Sequence, residues 1–186
     1  MKQHKPNIFA RISLGIAGCI LAPTVTLAAT GALAAYCVDK GGTVTRMTAW
    51  FSTLKGPVAG MTKRFCTFKR DHGSIAIGLS TFSSEHPSIA ATYMKKLSPL
   101  GEDSKLMEKG PGNPSYSVCK NLGGTAIGFG FTGNFKPKDG GDSDICVFGD
   151  GSMVSAWSLI YMANHRDGYD EVKDSVRSEP LNVTVP

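Results

Sequence analysis

The 186-residue chain has one long apolar run, Ile12–Leu21, and nothing comparable after it. A helix needs ~20 apolar residues to cross a bilayer, so no membrane span is expected in the remainder. Histidine is scarce, and His72, His86 and His165 stand at no zinc-type spacing, which leaves surface or core roles for them. No Lys/Arg run with interleaved aromatics occurs, so a nucleic-acid footprint is not expected. Lys95, Lys96, Lys105 and Lys109 read instead as a solvated face. "GDGSM" is not a Gly-x-Ser-x-Gly elbow, and neither Gly-Gly pair is followed by the Lys-Ser/Thr of a phosphate loop. Asp139, Asp142 and Asp144 in "DGGDSD" lack the spacing and distal glutamate of a calcium loop and read as a solvated hairpin tip. These absences leave no catalytic residue, cofactor site or metal site to name.

The N-terminal residues have the form of an export signal. Lys2, Lys5 and Arg11 precede the apolar run, Pro23 breaks it, and Thr26 and Ala28 stand at the minus-three and minus-one positions of a cleavage site. The expected signal is 1–28, with release into the periplasm or the medium. Cleavage after Ala34 is the second option, and it would shorten a helix needed below. Cys19 after Ile16-Ala17-Gly18 suggests a lipoprotein anchor, but the apolar "ILAPTV" where a polar leash belongs disfavours it. Without 1–28 the balance is 17 basic against 15 acidic residues, so most of the formal +5 belongs to the signal.

Four cysteines remain: Cys37, Cys66, Cys119 and Cys146. An even number in an exported chain reads as disulfides. Their surroundings recur. "YCVDKGGTV" at Tyr36 matches "VCKNLGGTA" at Val118, "FCTF" at Phe65 matches "ICVF" at Ile145, and "GSI" at Gly73 matches "GSM" at Gly151, at offsets of 82, 80 and 78. This order predicts two copies of one unit: unit one at 29–98, a linker at 99–112, unit two at 113–166 and a tail at 167–186. Four cysteines allow three connectivities, and pairing within copies is the most economical while the others stay open.

Local signals suggest the unit's form. Asn113 is a good N-cap, Pro114 a good first helical residue, and Gly123-Gly124 a helix stop; Gly41-Gly42 stops a helix whose first turn lies in the alanine-rich segment. β-like runs follow, "TVTRMTAWF" and "TAIGFGF", then the turn-rich segments "STLKGPVAG" and "TGNFKPKDGGDSD", then the cysteine strands. The expected fold class is α+β: tandem stapled units, each a short helix on an antiparallel hairpin or small sheet, with a following helix. After the second cysteine the copies are expected to differ. Ile75, Ile77, Leu79 and Thr81 suggest a third strand, then a helix from Pro87 with Ile89, Tyr93, Met94 and Leu97 in a stripe. In copy two, Asp150-Gly151 turns the chain and Ser152 caps a helix carrying Met153, Val154, Trp157, Ile160 and Tyr161. The tail shows little pattern beyond "LNVTV".

Copy two resembles the small exported bacterial domain of unknown function that carries the label hemolysin. The resemblance rests on Asn113, Pro114, Cys119, Gly123, Gly124, Cys146, Phe148, Asp150, Gly151, Ser152 and Trp157, over about 50 residues. Copy one matches only the Cys-x-x-x-Gly-Gly and Cys-x-Phe portions. The resemblance implies export and a disulfide-stapled fold, and it transfers no catalytic residue. The family has another cysteine where this chain has Val154, and a last one after the tryptophan helix; both are absent here. The expectation is therefore a non-enzymatic binding protein of the envelope or medium, with an unknown protein or envelope partner. An inhibitor of a secreted hydrolase and an enzyme of unrecognised type stand as alternatives.

Overall fold

The computed structural model describes residues 25–71, 73–107, 112–127, 134–137 and 144–186. Residues 1–24, with Cys19, and also His72, Lys109, Asp139 and Asp142, lie outside them. Helix α1, Val25–Asp39, feeds β1, Thr43–Thr53, β2, Gly56–Arg70, and β3, Gly73–Gly78. Helices α2, Leu79–Ser83, and α3, Ile89–Lys96, follow; α4 is Pro114–Asn121. Then come β4, Thr125–Ile127, β5, Asn134–Pro137, β6, Ile145–Val147, and β7, Met153–Ser155, with α5, Ala156–Ala163, and α6, Asp170–Asp174.

All seven strands form one sheet in the order β4-β6-β7-β3-β2-β1-β5, and every pair is antiparallel. One row of paired residues crosses six of them: Ala126, Cys146, Val154, Ile77, Cys66 and Val44. The helices bury this face. Phe68, Ile75, Ile77, Phe148 and Val154 join Phe82, Met94, Val118, Leu159 and Met162 in the larger core. The opposite face carries Met47, Ala49, Phe65, Ala76, Ile127, Ile145 and Met153, which bury one another. Curvature accounts for this. Laid flat, the edges β4 and β5 would stand ~29 Å apart at ~4.8 Å per strand, yet Ile127 and Asn134 are seven residues apart in the chain, a reach of ~25 Å at most. The sheet therefore curls into a half-barrel.

The two disulfides join Cys37 to Cys66 and Cys119 to Cys146, each with Cα atoms 5.7 Å apart. Their settings match. Gly41 and Gly123 adopt φ of +77° and +81°, the left-handed conformation that ends a helix and suits glycine. Gly42 and Gly124 each donate N–H to the helical cysteine's carbonyl at 2.9 Å. A Cβ on either would lie 2.5 Å from the strand cysteine's Sγ and against Phe68 or Phe148, so only glycine fits. Asn113 caps α4 by accepting from Ser115 N–H, with Pro114 at the first helical position.

Several segments differ from expectation. Leu79 and Thr81 belong to a helix: Gly78 ends β3, and Leu79 and Phe82 turn into the core. Met153 and Val154 are strand, not helix, because both faces of this segment are buried and Val154 pairs with both Cys146 and Ile77. "STLKGPVAG" is no loop: β1 and β2 run through it to a two-residue turn, Leu54-Lys55, completed by Gly56 at φ +112°. Asn134–Pro137, expected in a turn-rich segment, is a strand on the edge of β1, with Met47 opposite Pro137 and Trp50 opposite Asn134. The tail is packed. Tyr169, Val172, Val176 and Ser178 are buried, Arg177 N–H donates to the Phe82 carbonyl, and Ser88 bridges Pro180. Its anchors are single contacts, which leave no periodic trace in a sequence.

Candidate functional site

The Asp150-Gly151-Ser152 turn points at a helix from the other half of the chain. Helix α3 begins after Ser88, which is extended and accepts the Ala91 N–H through its side chain. A first helical turn leaves N–H groups without intrahelical acceptors. Asp150 Oδ2 accepts from Ile89 N–H at 2.7 Å, and Ser152 Oγ accepts from Ala90 N–H at 2.9 Å. Ser152 is thus a cap, but for α3 and not for the helix that follows it. Helix α5 instead has Ser155 at its N-cap position, and the Ser155 side chain makes no capping bond.

The capping groups are themselves held. Gly151, at φ +78°, lets Asp150 Oδ1 fold back onto Ser152, accepting its N–H at 2.9 Å and its hydroxyl at 2.6 Å. Burial pushes the Asp150 carboxyl up, but the bonds from the Ser152 hydroxyl and from the Ile89 and Ser152 N–H groups outweigh it and hold the group below its ordinary value. Met153 N–H donates to Thr81 Oγ1, and Ser178 Oγ, 3.0 Å from Ser88 Oγ, ties the tail to this collar. Thr92 donates to the Ser88 carbonyl and accepts from Leu181 N–H.

Around the collar lies an open cleft of about 240 Å³, lined by Ser80, Thr81, Ser84, His86, Asp150 and Ser152 among others. Hydroxyls, a carboxylate and an imidazole invite comparison with a nucleophilic site. The geometry answers it differently. Ser152 Oγ gives its proton to a carboxylate and receives a backbone N–H, whereas an activated serine needs a base positioned to take its proton in the reaction, normally an imidazole. The arrangement serves to fix a helix end.

The remaining sequence candidates are dispersed. Asp144 accepts from Asn113 Nδ2 at 3.2 Å and Tyr116 OH at 2.9 Å, and its carbonyl takes Ala156 N–H, so it locks α4 to the start of α5. His86 is exposed, and His165, at φ 51°, sits on the surface 3.0 Å from Asp170. Lys95 is half-buried, Lys105 is exposed, and Lys96 reaches the Leu181 carbonyl. Trp157 is half-buried and stacks on Tyr161 at 5.5 Å, with the Arg166 guanidinium over the Tyr161 ring. Among the described residues no group of three His, Cys, Asp or Glu side chains converges on a metal position. Cys37, Cys66, Cys119 and Cys146 are fully buried in disulfides. Sequence reasoning missed the collar's partners Ser88, Thr81 and Ser178, although "HPSIA" carries the Ser88 cap in plain form.

Comparison of the chain with protein-family models, curated proteins and solved structures returns no match in any of the three.

Proposed function

We propose that the protein is an exported, non-enzymatic binding module of the cell envelope or medium, built from two copies of one helix-hairpin unit and related to the hemolysin-labelled domain. The observation that carries the reading is the use made of Asp150, Ser152, Ser88, Thr81 and Asp144: each hydrogen-bonds to backbone or to another fold-forming group. Chemistry-bearing side chains spent on helix ends leave recognition to surfaces.

Three further observations support the reading. Two buried disulfides suit an oxidising compartment, and among the described residues no helix is long and apolar enough to cross a membrane. Signal cleavage after Ala28 would leave Ala29–Asp39 of α1, including Tyr36 and Cys37, to hold its place. The paired Gly-Gly and disulfide geometries, with β3 and β7 each lying beside its cysteine strand, favour an internal repeat.

The test is a screen of the oxidised protein against hydrolase substrates, in parallel with capture of envelope components. The reading predicts no turnover that depends on a single polar side chain. Activity abolished by Ser152→Ala or His86→Ala, in a protein that still folds, would overturn it and establish the enzyme alternative.

A further inference from the structure

The far end of the β1–β2 hairpin is built unlike the rest of the molecule. From Pro57 to Lys63 every residue of β2 is exposed, so the hairpin extends past the cover of the helices. Its apolar side chains face water: Leu54, at the turn, is fully exposed, Val58 and Met61 are each 50 % exposed, and Trp50 is 39 % exposed. They are not a stripe on one face. Trp50 lies opposite Ala59, and Val58 opposite Phe51, so consecutive pairs present apolar groups to both faces while Leu54 covers the end. A tip with exposed apolar groups on both faces and at its end suits a medium that surrounds it.

Charge points the same way. The hairpin Thr43–Arg70 holds six basic residues, Arg46, Lys55, Lys63, Arg64, Lys69 and Arg70, and none of the chain's fifteen acidic ones. Arg46 stands directly opposite Arg64, a like-charge pair that weakens a sheet unless an anion compensates it. Among the described residues no carboxylate lies within ion-pair distance of Arg46, Lys55, Lys63 or Arg64. Along the face that carries the Arg pair, the order outward is Arg46/Arg64, the hydrogen-bonded Thr48/Thr62, then Trp50/Ala59. Up to the turn, where Lys55 stands beside Leu54, cation, hydroxyl and indole follow the polarity order met on passing from an anionic headgroup layer toward hydrocarbon.

We infer that the β1–β2 hairpin is a peripheral membrane-docking element, which inserts Leu54, Val58, Met61 and Trp50 into the interface of an anionic lipid surface, with Lys55 beside Leu54 at the turn, while Arg46, Lys63 and Arg64 behind them hold the headgroups. This deepens the binding reading above and rests on it by naming the partner as lipid. Binding by a tip of this size scales with buried apolar area plus attraction to anionic headgroups, so both contributions are separable by substitution.

The experiment is co-sedimentation of the oxidised full chain with vesicles of phosphatidylglycerol and phosphatidylcholine, and with vesicles of phosphatidylcholine alone. The variants are Leu54→Ser/Val58→Ser and Lys63→Glu/Arg64→Glu. All chains share every residue outside the hairpin, so differences report the hairpin alone, and near-ultraviolet circular dichroism verifies the fold. The inference expects preference for the anionic vesicles, at least about a tenfold loss of affinity for them in the serine variant, and loss of the preference in the glutamate variant. Equal binding by the serine variant and the parent overturns it. So does binding to polyglutamate that matches binding to anionic vesicles, which would assign the cations to an acidic protein. Either failure leaves the hydrolase screen untouched, so the broader reading falls only on its own test.

Discussion

Asp150 and Ser152 hold the first turn of a helix 61 and 62 residues earlier in the chain. Replacing a side-chain cap costs about 1 kcal/mol, and here two N–H groups lose partners together. Asp150→Ala is expected to cost about 1–2 kcal/mol in urea unfolding, with faster amide exchange at Ile89 and Ala90 and none at Ser158. The pH dependence follows from the sign of the Asp150 shift. Its folded value lies below its ordinary one, so its contribution is present above pH ~4 and is lost as pH falls through the folded value. The stability gap between the parent and Asp150→Asn should therefore narrow below pH ~4, and a gap that widens there would contradict the capping role. Gly42 and Gly124 allow a sharper comparison. An added Cβ meets both sulfurs and a phenylalanine ring at each site, so Gly42→Ala and Gly124→Ala should each cost at least about 2–3 kcal/mol. Thermal unfolding that leaves either unchanged would show the close approach to be wrong. The Gly-Gly motif was legible because only glycine answers its two demands, a positive φ and a missing Cβ. Ser152's role as a cap was legible, but its helix was not: capping geometry is local in sequence only when the cap and the helix are neighbours.

Each disulfide ties a helix to the second strand of its hairpin, across 29 residues in one case and 27 in the other. On the chain-entropy model each bridge contributes about 3–4 kcal/mol, so Cys119→Ala/Cys146→Ala should lower stability by that amount and Cys37→Ala/Cys66→Ala by about as much. Denaturant titration of the two variants measures both. Elements with strong end signals were read correctly, as Asn113-Pro114 and Gly123 show for α4. Short elements were not. Met153–Ser155 and Asn134–Pro137 have too few residues to display a period of two, and what makes them strands is the neighbour each pairs with. The same limit explains Leu79, whose apolar side chain fitted an extended pattern until Gly78 ended the strand. The tail escaped notice because Tyr169, Val176 and Ser178 dock singly.

At the scale of the molecule, two segments that read as separate units in sequence contribute to one sheet and one helix-covered core. The halves join where Ile77 pairs with Val154, both fully buried, and again where β5 pairs with β1; the Asp150 collar crosses the first of these seams on the helix side. Composition suggested an α+β chain with staples, but the joining of its halves was not readable, since a strand's partner is set by topology and not by the strand's own residues. The central claim is that the two halves share one cooperative core, from which the β1–β2 hairpin projects. Native-state hydrogen exchange in rising denaturant tests this most directly. The account predicts that the slowest amides of β2 and β3 and those of β6 and β7 converge on one opening free energy, equal to that of global unfolding, while amides near Leu54 open at far lower cost. Separate limiting values for the two halves would contradict it.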